Sequence, residues 1–259
     1  MTTRYLFAPA FGTGVLMAAY LLLRPYGDVG GPLAQAQAYA SPRWVVAHVC
    51  GLLALASFAR LALRVCDLVD PGLGGSGRPG ARLARLGRWL ALSGATLALP
   101  AYGVEAVGLH VAGVRHLAGD PSGLALVEQL RGEPLGVAMF GLGLALLAAA
   151  GIALGLAWQR SGLPNALPNA LASRSLTRFA AWPLGVLMAA FVPQFLLPPA
   201  GRMAYGAAYL AAALWLLGSA RNAGPAAGRG DAADARHAAQ AAGPADSADS
   251  ADSAAQWRA

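Results

Sequence analysis

The chain contains no lysine, and all 19 of its basic residues are arginines. A retinal or pyridoxal phosphate Schiff base therefore cannot form, and a phosphate-binding loop of the GxxxxGK[ST] type cannot exist. Charge of either sign is also scarce, because only 12% of the 259 residues are charged. A typical soluble domain has about 25% charged residues. The composition therefore disfavours a water-soluble protein.

Cysteine is equally scarce, with Cys50 and Cys66 as the only two. Both fall within one predicted helix, where their separation is about 24 Å, so they cannot form a disulfide with each other. The sequence also lacks CxxC and HExxH patterns. The strong sequence signals for a structural zinc site or a zinc protease are therefore missing.

Apolar residues dominate what the chain does contain. They make up 57% of the sequence, and the mean hydropathy is +0.51. Six apolar stretches reach or approach the roughly 20 residues that cross a hydrocarbon core. The sequence therefore predicts an all-α, polytopic membrane protein with six transmembrane helices near residues 6–23, 44–65, 86–109, 135–158, 179–197 and 203–218.

The chain divides into two parts of different composition. Residues 1–221 are expected to form the six-helix transmembrane domain. Its first stretch is predicted to be a retained span, because the small residues that resemble a signal-peptide cleavage site lie too far downstream. Residues 222–259 contain the polar repeat ADSADSADSA and little that can be buried. We expect these residues to form a disordered cytoplasmic tail.

Arginine is distributed unevenly among the predicted loops. With the N-terminus inside, the cytoplasmic loops collect most of the arginines, and the outside keeps only Arg24, Arg43, Arg115, Arg131 and Arg202. This bias predicts that both termini are cytoplasmic and that the protein is a multi-pass protein of the inner membrane. The arginines lie beside apolar spans rather than along one basic face, which argues against nucleic-acid binding and makes the lipid bilayer the expected partner.

A few polar residues fall inside the predicted spans near their outer ends. Counting the helical rise from Trp44 and from the end of the third span places His48 and Glu105 at the same depth, each about 6 Å inside the boundary. Tyr102 lies one helical turn before Glu105 and shares its face. Pro100, just below, is expected to kink the helix. These residues predict a small polar pocket.

The complete set of candidate pocket residues includes side chains from several helices. The set consists of His48, Tyr102, Glu105, His110, Gln194 and Arg202. A carboxylate inside a membrane is costly unless it is neutral or paired, and Arg202 is the predicted partner of Glu105. Structural roles stand beside the functional ones: a packing ion pair for Glu105, an interhelical hydrogen bond for His48 and an interfacial position for His110.

Three functions fit this pattern. The first is a transport or channel-like protein whose outward-facing pocket takes a small solute, a cation or a proton. The second is a membrane redox protein in which His48 and His110 ligate a b-type haem. The third is a non-catalytic accessory or scaffold protein. The pattern favours the first and leans away from an enzyme, and it assigns no cofactor, metal or oligomeric state.

Overall fold

The computed structural model describes residues 4–27, 30–71, 79–161 and 178–222. Within these ranges all regular structure is helical, as the sequence predicts, and it belongs to one unit, Met1–Ala223. Apart from the helical residue 222, the predicted tail lies outside the described residues. The elements are α1 (Arg4–Leu23), α2 (Gly31–Ala40), α3 (Pro42–Val69), α4 (Ala81–Gly103), a π segment (Val104–Gly108), α5 (Leu109–Leu117), α6 (Ser122–Gly132), α7 (Pro134–Arg160), α8 (Trp182–Ala189), a 3₁₀ turn (Pro193–Leu196) and α9 (Pro199–Asn222).

Five helices of the described residues are long and apolar enough to cross a membrane. They cover Tyr5–Leu23, Pro42–Val69, Ala81–Leu117, Pro134–Arg160 and Pro199–Ala220. These ranges correspond to five of the six predicted spans. Because such helices satisfy their own backbone hydrogen bonds, the architecture is typical of a helical membrane protein.

The predicted fifth span, residues 179–197, does not form one continuous helix. The structure divides it into α8, which has only eight residues, and the 3₁₀ turn. Pro193 has no N–H group to donate to the carbonyl one turn earlier, and its ring clashes with that carbonyl. The helix therefore ends at Ala189, and the segment is shorter than a membrane-spanning helix requires.

The bundle is assembled from helices in close contact. Helix α1 packs against α3 and α9, and α4 packs against α7, which also contacts α8. Glycine residues allow the backbones of α7 and α8 to approach closely. A Cβ atom at Gly151 would lie only 2.5 Å from the carbonyl oxygen of Gly185, so no larger residue fits there without a shift. Gly155, one turn further along α7, lies against the ring of Trp182. This small-xxx-small spacing is typical of helix pairs in membranes.

The long helix that runs from α4 to α5 widens at the π segment. Pro100 lies inside α4, where it removes one backbone donor from the helix. The π segment then begins at Val104, and the indole N–H of Trp44 donates to the backbone carbonyl of Glu105 at 2.6 Å. Single π turns are rare and frequently occur at functional sites. Here the π turn contains Glu105, one of the candidate pocket residues.

Three short helices, α2, α5 and α6, pack together at the end of the bundle that contains the π segment. Helix α6 begins where the Asp120 carboxylate accepts hydrogen bonds from the N–H and hydroxyl groups of Ser122, which lower the pKa of Asp120. The three short helices share an apolar core with the start of α3. This core consists of Tyr39, Trp44, Leu109, Ala112 and Val127. This small core fixes α6 beside the π segment, so that the last turn of α6 approaches Glu105.

Candidate functional site

A cavity of about 550 Å³ lies at the end of the bundle where α1 ends and α3 begins. It contains four of the six candidate pocket residues, His48, Tyr102, Glu105 and Arg202. Among the described residues, the lining consists of Tyr20, Arg24, His48, Pro100, Ala101, Tyr102, Val104, Glu105, Leu130, Arg131, Glu133, Gly136, Val137, Phe140, Phe195 and Arg202. Residues from at least five helices therefore meet in one site.

The Glu105 carboxylate is bound by Arg131 at the end of α6. The Nε and Nη2 atoms of Arg131 donate to the two carboxylate oxygens at 2.7 and 2.8 Å. A third donor of the same guanidinium, Nη1, donates to the Tyr39 hydroxyl at 2.9 Å. The prediction that Arg202 is the partner of Glu105 is therefore wrong. Bidentate pairing of this kind neutralises a carboxylate and fixes its orientation.

His48 lies beside the same carboxylate, which agrees with the prediction that His48 and Glu105 lie at the same level of neighbouring helices. Its Nε2 atom is 3.7 Å from Oε2 of Glu105, and its Nδ1 atom is 2.8 Å from the carbonyl oxygen of Trp44. A neutral ring protonated at Nδ1 satisfies that carbonyl and leaves the Nε2 lone pair on the cavity side. His48 is buried, so its ring is held by neighbouring helices rather than by solvent.

Tyr102 supplies a buried hydroxyl group to the cavity wall. Its ring packs edge-on against Tyr20 and Phe140, with centroids 5.7 and 6.0 Å away. The side chain is only 3% exposed, and the hydroxyl has no hydrogen-bond partner among the described residues. An unpartnered buried hydroxyl is costly, and native structures usually provide it with water or a ligand.

Two more arginines line the cavity and rest on aromatic rings. Arg24, only 8% exposed, donates to the Tyr20 hydroxyl at 3.2 Å and lies 5.1 Å above the Trp44 ring. Arg202 donates to the carbonyls of Leu197 and Phe195, at 2.9 and 2.7 Å, so it caps the 3₁₀ turn. The cavity wall therefore places arginine guanidinium groups over aromatic rings, with Arg24 above Trp44 and Arg202 5.6 Å from the ring centre of Tyr26.

His110 and Gln194, the other two candidates, do not line this cavity. His110 is half-buried, and its Nδ1 atom lies 3.0 Å from the backbone oxygen of Tyr39. Gln194 is 1% exposed in the 3₁₀ turn, and its amide has no hydrogen-bond partner within the described part of the chain. A haem ligated by both histidines would require both rings to face one space. In the structure His48 lines the cavity and His110 does not.

Sequence reasoning missed Arg131, Arg24 and Glu133 as cavity residues. The sequence analysis assigned Arg131 to a loop on the outer side of the membrane. The segment before α7 is amphipathic, however, and Arg131 and Glu133 lie at its end. The signal that was available is the position of the charges, since each lies directly beside an apolar span. A charge at a span boundary can reach inward along its own aliphatic stem.

The described residues contain no group of three or more His, Cys, Asp and Glu side chains that could hold a metal ion. Comparison of the chain with protein-family models, with curated proteins and with solved structures gives no match. The geometry of the cavity is therefore the basis for any functional interpretation.

Proposed function

We propose that this chain is a multi-pass inner-membrane protein with a transport or channel-like function, in which the cavity admits a small solute or ion from outside. The observation that carries the proposal is the cavity itself, where His48, Tyr102 and Glu105 meet within a bundle of apolar helices. Polar residues at membrane depth are expensive and usually mark a pathway for polar ligands.

The proposal includes six crossings with both termini inside. Trp182, at the start of α8, donates to Gln159 near the end of α7, whereas Phe195 lines the cavity at the opposite end of the bundle. These contacts support a fifth crossing made by α8 and the 3₁₀ turn together. Non-helical backbone is tolerated at membrane depth where it is buried in protein or lines a cavity. The arginine bias supports the orientation.

The cavity favours a ligand-binding role over the two alternatives. A purely structural ion pair between Glu105 and Arg131 requires no space beside it, yet the pair borders about 550 Å³. A scaffold role does not account for the buried Tyr102 hydroxyl, to which the described residues offer no hydrogen-bond partner. A haem held by His48 and His110 needs both rings to face one space, and only His48 lines the cavity.

Cysteine accessibility tests whether water enters the cavity from outside. In a background with Cys50→Ala and Cys66→Ala, Ala101→Cys places a thiol on the cavity wall. Ala98→Cys is the matched control, since Ala98 lies on the same helix, is fully buried and is not part of the lining. Membrane-impermeant thiol reagents added to intact cells are expected to label the first variant and not the second. Protection of Ala101→Cys would contradict an outward-facing cavity.

Transport itself is tested with the same two variants in liposomes. Swelling of proteoliposomes in isosmotic glycerol or sodium chloride is followed by light scattering. We expect treatment with the thiol reagent to slow the swelling caused by Ala101→Cys, because the attached group occupies the cavity. The same treatment should not change the swelling caused by Ala98→Cys, whose thiol is buried and stays unmodified. Swelling indistinguishable from that of protein-free liposomes in both solutes would favour the scaffold alternative.

A further inference from the structure

The carboxylates in the described lining of the cavity already accept hydrogen bonds from the protein. Arg131 holds both oxygens of Glu105, at 2.7 and 2.8 Å. Glu133 accepts the N–H of Gly136 at the start of α7. A cation in the cavity would need oxygen ligands to replace its hydration shell, and it would have to compete with Arg131 for Glu105. The described carboxylates therefore do not favour a cation as the ligand.

The arginines of the lining also have partners within the protein. Arg24 donates to the hydroxyl of Tyr20. Arg202 donates to the backbone carbonyls of Leu197 and Phe195. An anion in the cavity would have to compete with these groups for the guanidinium groups. The arginines therefore give no reason to expect an anion as the ligand.

Tyr102 carries an uncharged polar group that the described part of the protein leaves without a partner. Its side chain lines the cavity and is only 3% exposed, and its hydroxyl forms no hydrogen bond with any described residue. A buried hydroxyl without a partner is costly, and native structures rarely leave one unsatisfied. This hydroxyl therefore indicates an occupant that accepts a hydrogen bond.

His48 supplies a hydrogen-bond acceptor close to Tyr102. Its Nδ1–H donates to the carbonyl of Trp44, so the neutral ring keeps a lone pair on Nε2. Nε2 lies 3.7 Å from Oε2 of Glu105, which is too long for a hydrogen bond between these groups. The centres of the His48 and Tyr102 rings are 6.3 Å apart, so one small molecule can reach both side chains. The cavity therefore offers a ligand one donor and one acceptor, neither of them charged.

We infer that the cavity binds an uncharged hydroxylic solute, such as a small polyol. One of its hydroxyl groups accepts a hydrogen bond from the Tyr102 hydroxyl and donates one to Nε2 of His48, since a hydroxyl is both donor and acceptor. Its other hydroxyl groups remain hydrated in the outward-facing cavity. Its carbon skeleton lies against the apolar part of the wall, formed by Val104, Leu130, Val137, Phe140 and Phe195. This inference names the ligand class and rests on the proposed function.

Protection of a thiol on the cavity wall tests this ligand. Ala101→Cys, in the background with Cys50→Ala and Cys66→Ala, is treated in intact cells with a membrane-impermeant thiol reagent. We expect glycerol and sorbitol to slow the labelling as their concentration rises, because a bound polyol occupies the space beside the thiol. Sodium chloride at the same osmolarity should not slow it, and the reaction of the free amino acid cysteine corrects for effects on the reagent. Equal protection by salt and polyol would overturn the inference.

Tyr102→Phe tests the contact with the tyrosine hydroxyl. The variant keeps the ring and removes a hydroxyl that has no described partner, so it should fold. We expect the polyol concentration that halves the labelling rate to rise about fivefold, as the loss of one hydrogen bond implies. Tyr209→Phe is the matched control, since Tyr209 is fully buried outside the lining and its hydroxyl contacts the sulfur of Met188. Equal values for the two variants would show that water alone satisfies the Tyr102 hydroxyl and would overturn the inference.

His48→Phe tests the acceptor in the same assay. The variant keeps an aromatic ring and removes both ring nitrogens, and labelling of its cavity thiol without solute shows that the cavity is still formed. We expect the half-protecting concentration of polyol to rise about fivefold here too. A value equal to that of the unsubstituted protein would overturn the role of His48 as the acceptor.

Failure of this inference is distinct from failure of the proposed function. If Ala101→Cys is labelled without solute but neither polyol protects it, only the inference is overturned. If Ala101→Cys is not labelled without solute, the outward-facing cavity itself is contradicted.

Discussion

Arg131 holds Glu105 through two parallel hydrogen bonds of 2.7 and 2.8 Å, and the two residues lie on different helices at the edge of the same cavity. This pair links α6 to the π segment. It also explains how a carboxylate is accommodated near the end of an apolar helix, since a bidentate arginine compensates its charge.

Removal of both partners is therefore expected to be less harmful than the sum of the two single removals. Glu105→Gln or Arg131→Gln should each lower the free energy of unfolding by about 1–2 kcal/mol, because one charge is left without its partner. The double variant should lose about 1 kcal/mol less than the sum of the two single losses, and this coupling energy is modest because both side chains are partly exposed. Thermal unfolding in detergent measures all of these changes.

Two controls make this cycle specific. Glu128→Gln removes an exposed carboxylate of α6 and should change stability by less than about 0.5 kcal/mol. Combining Glu105→Gln with Arg202→Gln should give additive losses, because Arg202 caps the carbonyls of Leu197 and Phe195. Additive losses for Glu105 and Arg131 would refute the coupling.

The indole of Trp44 is expected to stabilise the π segment. Trp44→Phe keeps an aromatic ring but removes the donor to the Glu105 carbonyl, which should cost about 1–3 kcal/mol because that acceptor is left unsatisfied. Trp215→Phe is the control, since Trp215 is 44% exposed on α9. Unfolding curves of equal midpoint for the two variants would show that this hydrogen bond contributes little.

The contact between α7 and α8 should tolerate no side chain at Gly151. Gly151→Ala places a Cβ atom 2.5 Å from the Gly185 carbonyl oxygen, and relieving that clash should cost at least about 1–3 kcal/mol. Gly141→Ala on the same helix meets nothing within 4 Å and should be neutral or stabilising by about 0.5–1 kcal/mol. Only Gly151→Ala should therefore lower the melting temperature, and a similar decrease for Gly141→Ala would contradict this packing.

A buried carboxylate at the opposite end of the bundle is expected to join α3 to α4. Asp70 is fully buried and accepts from Arg85 at 2.8 Å, whereas Asp67 forms an exposed pair with Arg64 at 3.3 Å. Asp70→Asn should lower the free energy of unfolding by about 1–3 kcal/mol. Asp67→Asn should cost less than about 0.5 kcal/mol. Similar losses for both variants would show that burial of Asp70 adds nothing.

The sequence was sufficient for the helical class and for five long apolar helices, because each depends on the local composition of one segment. It was also sufficient to place His48 and Glu105 together, since helical rise fixes the depth of a residue once a span is anchored. The distance of 3.7 Å between their side chains agrees with that placement. The position of a residue along its own helix follows from the rise per residue and does not depend on how the helices pack.

Only the tertiary structure decided which arginine binds Glu105. Arg131 reaches it because α6 docks on α5 through a small apolar core, and no periodicity in the sequence specifies that docking. The π turn that presents Glu105, and the break that shortens α8, likewise depend on hydrogen bonds made and lost between particular backbone groups. Composition and hydrophobic periodicity determine that a segment is helical and apolar, whereas the partner of a charged side chain is chosen by the relative positions of several helices, which are set by packing in three dimensions.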